Sequence, residues 1–224
     1  MGGTILEESG IQRGKYHAGY NNDAGRKALK YYIDAVYVDK WDSFTVRHDA
    51  EAFELEQTAM FFRESWVVGD IAQKAPNLKY DTAFVPSDLR WGRIANMQNL
   101  YVTRSCKNSD VAWDFVLFMV NDDMQRWMFD NVGWLPSRKD VDYSAILAKT
   151  PQFRSFIEMP QGYNEYGYVT IAEFDEIITK FAERLAAAYL DASLANNPAG
   201  IAKVMADAAD ETNTILRRAG LYAD

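Results

Sequence analysis

The balance between helical and strand signals constrains this chain more than any other feature. From Ile171 onward, Phe174, Ile177, Ile178, Phe181, Leu185 and Tyr189 recur at the three-to-four spacing that places them on one face of a helix. Ile201, Val204, Met205, Ala208, Ile215 and Leu216 do the same behind Asn197-Pro198, a cap with proline at the first helical position. Near the other end, Asn21-Asn22-Asp23 caps a helix predicted over residues 23 to 37 by Ala24, Ala28, Leu29, Tyr32, Ile33 and Val36. Asn108-Ser109-Asp110 caps an apolar helix from Val111 to Val120, and Asn121-Asp122-Asp123 caps another reaching about Asn131. A short helical turn over Ala50 to Phe53 and a helix opening at Val67 complete the helical set, while Asp140 to Tyr163 reads as short helices and loops broken by prolines. Against these, only Thr58 to Phe62, Tyr80 to Val85 and Asn99 to Thr103 read as strands. The pattern is α/β, rich in helix and short of the strands a sheet needs to close a core.

The 224 residues suffice for one large domain or two small ones, and a 48% hydrophobic content with 14% aromatic supplies a packed interior. A net charge of -8 argues against nucleic acid, whose binders need a basic face to displace counterions, and against an anionic membrane surface. Cys106 is the only cysteine, so an intrachain disulfide is excluded. His17 and His48 stand apart from each other and from any carboxylate pair at ligand spacing, so no metal site is expected. No apolar run approaches the roughly 18 residues of a membrane span. The opening MGGTILEESG has no basic region leading into an apolar one, so no export signal is expected in this chain.

Glycine-rich phosphate loops, nucleophile elbows and zinc-protease motifs are absent from the sequence, and nothing singles out a hydrolytic pair among 32 acidic residues. We therefore expect neither enzyme nor cofactor. The aromatic residues are more informative. In AMFFRESWVVGDI, Trp66 stands where one apolar run breaks on Arg63-Glu64-Ser65 and a second begins. Such a break is the signature of a turn into a helix, where ligand-facing groups such as Glu64 and Trp66 commonly sit. Trp134, Tyr163, Tyr166 and Tyr168 likewise fall at turns beside small or polar residues, unlike Trp113 and Trp127 on helical apolar faces. Ring faces flanked by hydrogen-bonding groups suit sugars, whose C–H faces stack while their hydroxyls pair with polar atoms.

Taken in order, these segments resemble the C-terminal half of the extracellular solute-binding proteins of ABC importers, the carbohydrate-binding family that includes maltose-binding protein. NNDAGRKALKYYIDAV is similar to the helix that follows the family's hinge. AFELEQTAMFFRESWVVGDI is similar to its signature of Phe, a short turn, Ala-Met, a strand and a tryptophan opening a helix. YDTAFVPS and NLYVTRSCKNSDVAWDFVLFMVNDDMQRWMFDNVGWLPSRKDV follow in the family's order, the latter ending in its Leu-Pro turn. The resemblance begins near residue 16 and covers nearly all that follows.

The resemblance implies a periplasmic-binding-protein-like (type II) fold, here partial, that closes on a small solute by hinge motion. It implies that Trp66 stacks on a sugar ring. It also implies that Asn96-Met97-Gln98-Asn99 lines the cleft, with Gln98 and Asn99 donating side-chain hydrogen bonds where relatives carry glycines. Tyr163, Tyr166 and Tyr168 match a cleft-edge loop. Residues 1–95, after a leader over 1–15, are expected in the C-terminal lobe, 96–137 in the N-terminal lobe and 138–224 in C-terminal-lobe helices. The implied ligand is a mono- or oligosaccharide, the implied partners are an importer's membrane subunits, and the implied location is periplasmic or extracellular and lipid-anchored. The alternative is a module that has lost solute binding and associates with another chain through exposed lobe surfaces.

Overall fold

A computed structural model describes residues 3–95, 98–138 and 141–223. Within them the chain forms two compact units, Met1–Phe44 with Ser87–Trp91 and Gly167–Asp224, and Thr45–Pro86 with Gly92–Tyr166.

The first unit is built on its longest helices. Strands β1 (Leu6–Glu8) and β2 (Tyr16–Ala18) pair antiparallel, with Leu6 opposite Ala18. Helix α1 (Asp23–Tyr37) starts where the Asn22 side chain accepts from the Gly25 N–H at 3.0 Å, satisfying a donor that the helix itself leaves open. Helices α8 (Phe174–Tyr189) and α9 (Pro198–Arg218) follow, the latter capped by the Asn197 side chain with proline at its start. Their apolar stripes meet around Ile33, Met205 and Ala208, against which Tyr20 stacks on Phe181 with ring centroids 4.1 Å apart. A second cluster joins Leu6, Ile177, Ile215 and Leu216. The buried Tyr20 hydroxyl lies 2.8 Å from the Thr212 hydroxyl, so these two hydroxyls satisfy each other.

The second unit holds α2 (Asp49–Glu54), α3 (Val67–Lys74), β3 (Gly92–Ile94), α4 (Ser109–Met119), α5 (Asp122–Val132), α6 (Ser144–Lys149), α7 (Arg154–Ile157) and β4 (Asn164–Tyr166). Strands β3 and β4 pair parallel, Gly92 opposite Asn164. Ala50, Val67 and Ile71 form the buried cluster between α2 and α3, with Phe53, Phe61, Trp66 and Tyr80 packed against it.

None of the three predicted strands forms. Thr58 to Phe62, Tyr80 to Val85 and Asn99 to Thr103 are irregular, and the four strands observed lie elsewhere. A β-forming sequence needs a ladder partner to become a strand, and no described segment pairs with these. The Tyr80 to Val85 stretch is held by side chains instead: the Thr82 hydroxyl donates to the Gln152 carbonyl at 2.6 Å and accepts from the Ser155 hydroxyl at 2.8 Å. Residues 6–8, inside the predicted leader, form β1. No described helix is long and apolar enough to cross a membrane.

Candidate functional site

The turn into α3 fixes the Trp66 backbone twice. The Trp66 carbonyl accepts from the N–H groups of Gly69 and Asp70, at 3.1 and 3.2 Å, which commits Trp66 to the helix start. On its other side the end of α5 presses close. Gly133 sits in the left-handed region at φ 77°, and a Cβ there would lie 3.1 Å from the Trp66 carbonyl oxygen and 3.2 Å from its Cα. Glycine is needed at this point for both its conformation and its size. The Ser65 hydroxyl donates to the Gly133 carbonyl at 3.3 Å, closing the junction. Trp134, one residue on, is thereby tethered next to the Trp66 turn and is partly exposed.

The Trp66 side chain is held by charge. Its indole N–H donates to Glu64 Oε2 at 3.1 Å, and the Arg63 guanidinium lies 5.2 Å from its ring centroid, a cation–π distance. Arg63 also pairs with Asp49 Oδ2 at 3.3 Å. The ring thus has one edge fixed by a carboxylate, so its orientation does not depend on a bound partner.

Beside it lies a concavity of about 580 Å³ between α2 and α3. Trp66 and Leu55 give it apolar wall; Glu51, Glu54, Asp70 and Lys74 give it charge. Lys74 Nζ donates to Asp70 Oδ2 at 2.8 Å, which raises the lysine above its ordinary value. Burial, reinforced by the neighbouring Asp70, pushes the Glu54 carboxyl up, and its Oε1 is buried without a hydrogen-bond partner. An apolar ring beside carboxylates and an ammonium is an arrangement that can stack on one face of a solute and accept from its hydroxyls. A second hollow of about 430 Å³ lies among α3, α5 and α6, bordered by Gly69, Phe129, Gly133, Ile146 and Phe153. It is lined chiefly by helix flanks, and Trp66 does not border it.

The other sequence-derived candidates are placed separately. Gln98 and Asn99 are exposed on an irregular segment and do not line the Trp66 concavity, and the expected cleft residues Asn96 and Met97 lie outside the described residues. Tyr163 is 7% exposed, its ring 5.2 Å from Phe84, which makes it a packing residue of the second unit. Tyr166 stands in β4, partly exposed. Tyr168 belongs to the first unit, beside Phe174 at 5.7 Å. Sequence reasoning missed Glu54, Asp70, Lys74 and Gly133. Trp66, Asp70 and Lys74 stand at i, i+4 and i+8, so one helical face from the tryptophan was the available signal.

Comparison with known proteins places this geometry in context. The family of bacterial extracellular solute-binding proteins matches residues 5–155. Binding proteins of Brucella abortus (strain 2308) and Brucella suis biovar 1 (strain 1330) are each 24% identical over 185 residues, covering 75% of this chain and 43% of their own. Among solved structures, an ABC transporter solute-binding protein from Thermotoga lettingae TMO bound with α-D-tagatose matches with a TM-score of 0.76 at 20% identity. The match covers 96% of this chain and 53% of that one. A cyclic α-maltosyl-1,6-maltose binding protein from Arthrobacter globiformis gives a TM-score of 0.64 at 20% identity, covering 97% and 53%. These likenesses show a helix-rich α/β fold of the periplasmic sugar-binding kind. The chain spans about half the length of the relatives it matches.

Proposed function

The chain belongs to the bacterial extracellular solute-binding protein family, and from that premise we propose that it acts as a carbohydrate-binding component of an ABC importer, with Trp66 as one wall of the solute site. It binds and hands on its solute without chemical change, outside the cytoplasmic membrane, to the importer's membrane subunits. The observation that carries this reading is the indole of Trp66, oriented by Glu64 and bordering a hollow whose charged groups are the carboxylates of Glu51, Glu54 and Asp70 and the ammonium of Lys74. Sugars reward that combination, since ring stacking and charge-assisted acceptance of hydroxyl protons act together. The tagatose-bound and maltosyl-maltose-binding neighbours support the choice of a sugar. Glu64 and Trp134 complete the proposed contact set, while Gln98, Asn99 and Tyr166 of the same unit are proposed as edge contacts.

The test is a tryptophan-fluorescence titration against a panel of mono- and oligosaccharides and polyols. A saturable change with at least one sugar is expected. No response to any of them from a chain folded by near-UV dichroism would refute the assignment.

A further inference from the structure

Arg63 packs on Trp66 but not on the hollow that Trp66 walls. Its guanidinium carbon lies over the indole, 5.2 Å from the ring centroid, while neither Arg63 nor Asp49 borders the hollow. The guanidinium therefore occupies one face of the ring, and a solute in the hollow meets another.

Two acids keep the guanidinium there. Its Nε pairs with Asp49 Oδ2 at 3.3 Å and with Glu64 Oε2 at 3.7 Å, the same oxygen that accepts from the indole N–H at 3.1 Å. Asp49 is itself fixed at the start of α2, where its Oδ1 accepts from the Ala50 N–H at 2.7 Å and lies 2.7 Å from His48 Nδ1. The side chains of Arg63 and Asp49 are 31% and 32% exposed, so water and salt screen this pair less than an open surface pair. A chain of contacts thus runs from α2 through Asp49 and Arg63 to one face of the indole. Its use is entropic. A free side chain that is immobilised when a ligand docks costs roughly 2- to 12-fold in affinity, and an indole already held in place avoids that cost.

We infer that Arg63, anchored by Asp49, is a positioning residue of the solute site, bracing one face of Trp66 and leaving the other to a single solute ring. The inference rests on the reading of Trp66 as a solute wall. Arg63 does not touch the solute and acts through the indole alone.

Two experiments test it. The first is calorimetric titration of the sugar that binds best, on the parent chain, Arg63→Met, Asp49→Asn, Trp66→Ala and the Arg63→Met/Trp66→Ala double variant. Methionine keeps much of the apolar stem and removes the guanidinium. Arg63→Met is expected to raise Kd about 3- to 10-fold, and Asp49→Asn at least about twofold. Once Trp66 is alanine, Arg63→Met should change Kd by less than about twofold, because a brace has nothing left to hold. The second is fluorine-19 magnetic resonance of the solute-free chain labelled with 5-fluorotryptophan. The resonance that vanishes in Trp66→Ala should shift or broaden in Arg63→Met and in Asp49→Asn, while those of the other five tryptophans stay in place. A general loosening of the fold moves several resonances together.

Three results overturn the inference: Arg63→Met binding within about twofold of the parent, its full loss persisting in the Trp66→Ala background, as a direct solute contact requires, or an unmoved Trp66 resonance. A loss with Trp66→Ala but none with Arg63→Met removes the brace and leaves the solute wall standing. Parent-like binding by Trp66→Ala, or no sugar bound by the parent, removes both.

Discussion

Replacing Gly133 by alanine tests how the fold holds the Trp66 turn. Two costs add. The first is conformational: alanine at φ 77° loses about 1 kcal/mol relative to glycine. The second is steric, because the new Cβ meets the Trp66 carbonyl oxygen at 3.1 Å and its Cα at 3.2 Å, both backbone atoms in a hydrogen-bonded helix start. Forcing an extra carbon into a packed junction costs about 1–2 kcal/mol more. Gly162 is the control in the same unit, with φ 86° and nothing within 4 Å of a built Cβ, so Gly162→Ala carries the first cost alone. Urea unfolding followed by circular dichroism is expected to give a loss of about 2–3 kcal/mol for Gly133→Ala and about 1 kcal/mol for Gly162→Ala, with m unchanged. In thermal melts the difference corresponds to about 2–8 °C for a chain of this length. Equal losses from the two variants would refute the claim that the α5 terminus is pressed against Trp66.

Other outcomes follow from single contacts. Tyr20→Phe leaves the 2% exposed Thr212 hydroxyl without its 2.8 Å partner, so a loss of about 1–3 kcal/mol is expected in urea unfolding. Adding Thr212→Val should recover part of it, and strictly additive losses would deny the bond. Glu54 holds its proton more tightly when folded than when unfolded, so its contribution to stability falls as pH rises from its usual 4.5 through its raised value. Glu54→Gln should therefore melt higher than the parent at pH 7, by a margin that shrinks as the solution is acidified below the ordinary glutamate range. A margin independent of pH would contradict the burial of that carboxyl.

What was legible in the sequence depended on how local its cause was. The Asn22 and Asn197 caps, with Pro198 behind the latter, mark helix starts within one residue of those observed, since a cap and a periodic stripe are local chemistry. The strand signals in Thr58 to Phe62 and Asn99 to Thr103 were real as composition, but a ladder is a long-range property and those stretches have none among the described residues. The three-residue strands that do form are too short for alternation to reveal. At the site, Trp66 stood out because the polar break Arg63-Glu64-Ser65 precedes it. The carboxylates opposite it become neighbours only when α2 packs on α3 through Ala50 and Ile71, a pairing that no spacing along the chain encodes. Tyr163 shows the converse: a turn-flanked tyrosine that the fold turns inward onto Phe84.

Whether Trp66 is a solute wall is settled most directly by calorimetric titration of the sugar that binds best, with Trp66→Phe and Trp66→Ala beside the parent chain. Calorimetry reads binding even where the reporting indole has been removed. Losing the stacked ring should cost about 1.5–3 kcal/mol, a rise in Kd of roughly 10- to 150-fold for Trp66→Ala, with Trp66→Phe between the two. A Trp66→Ala chain that keeps its fold and binds within about twofold of the parent, well under 1 kcal/mol, would contradict the assignment.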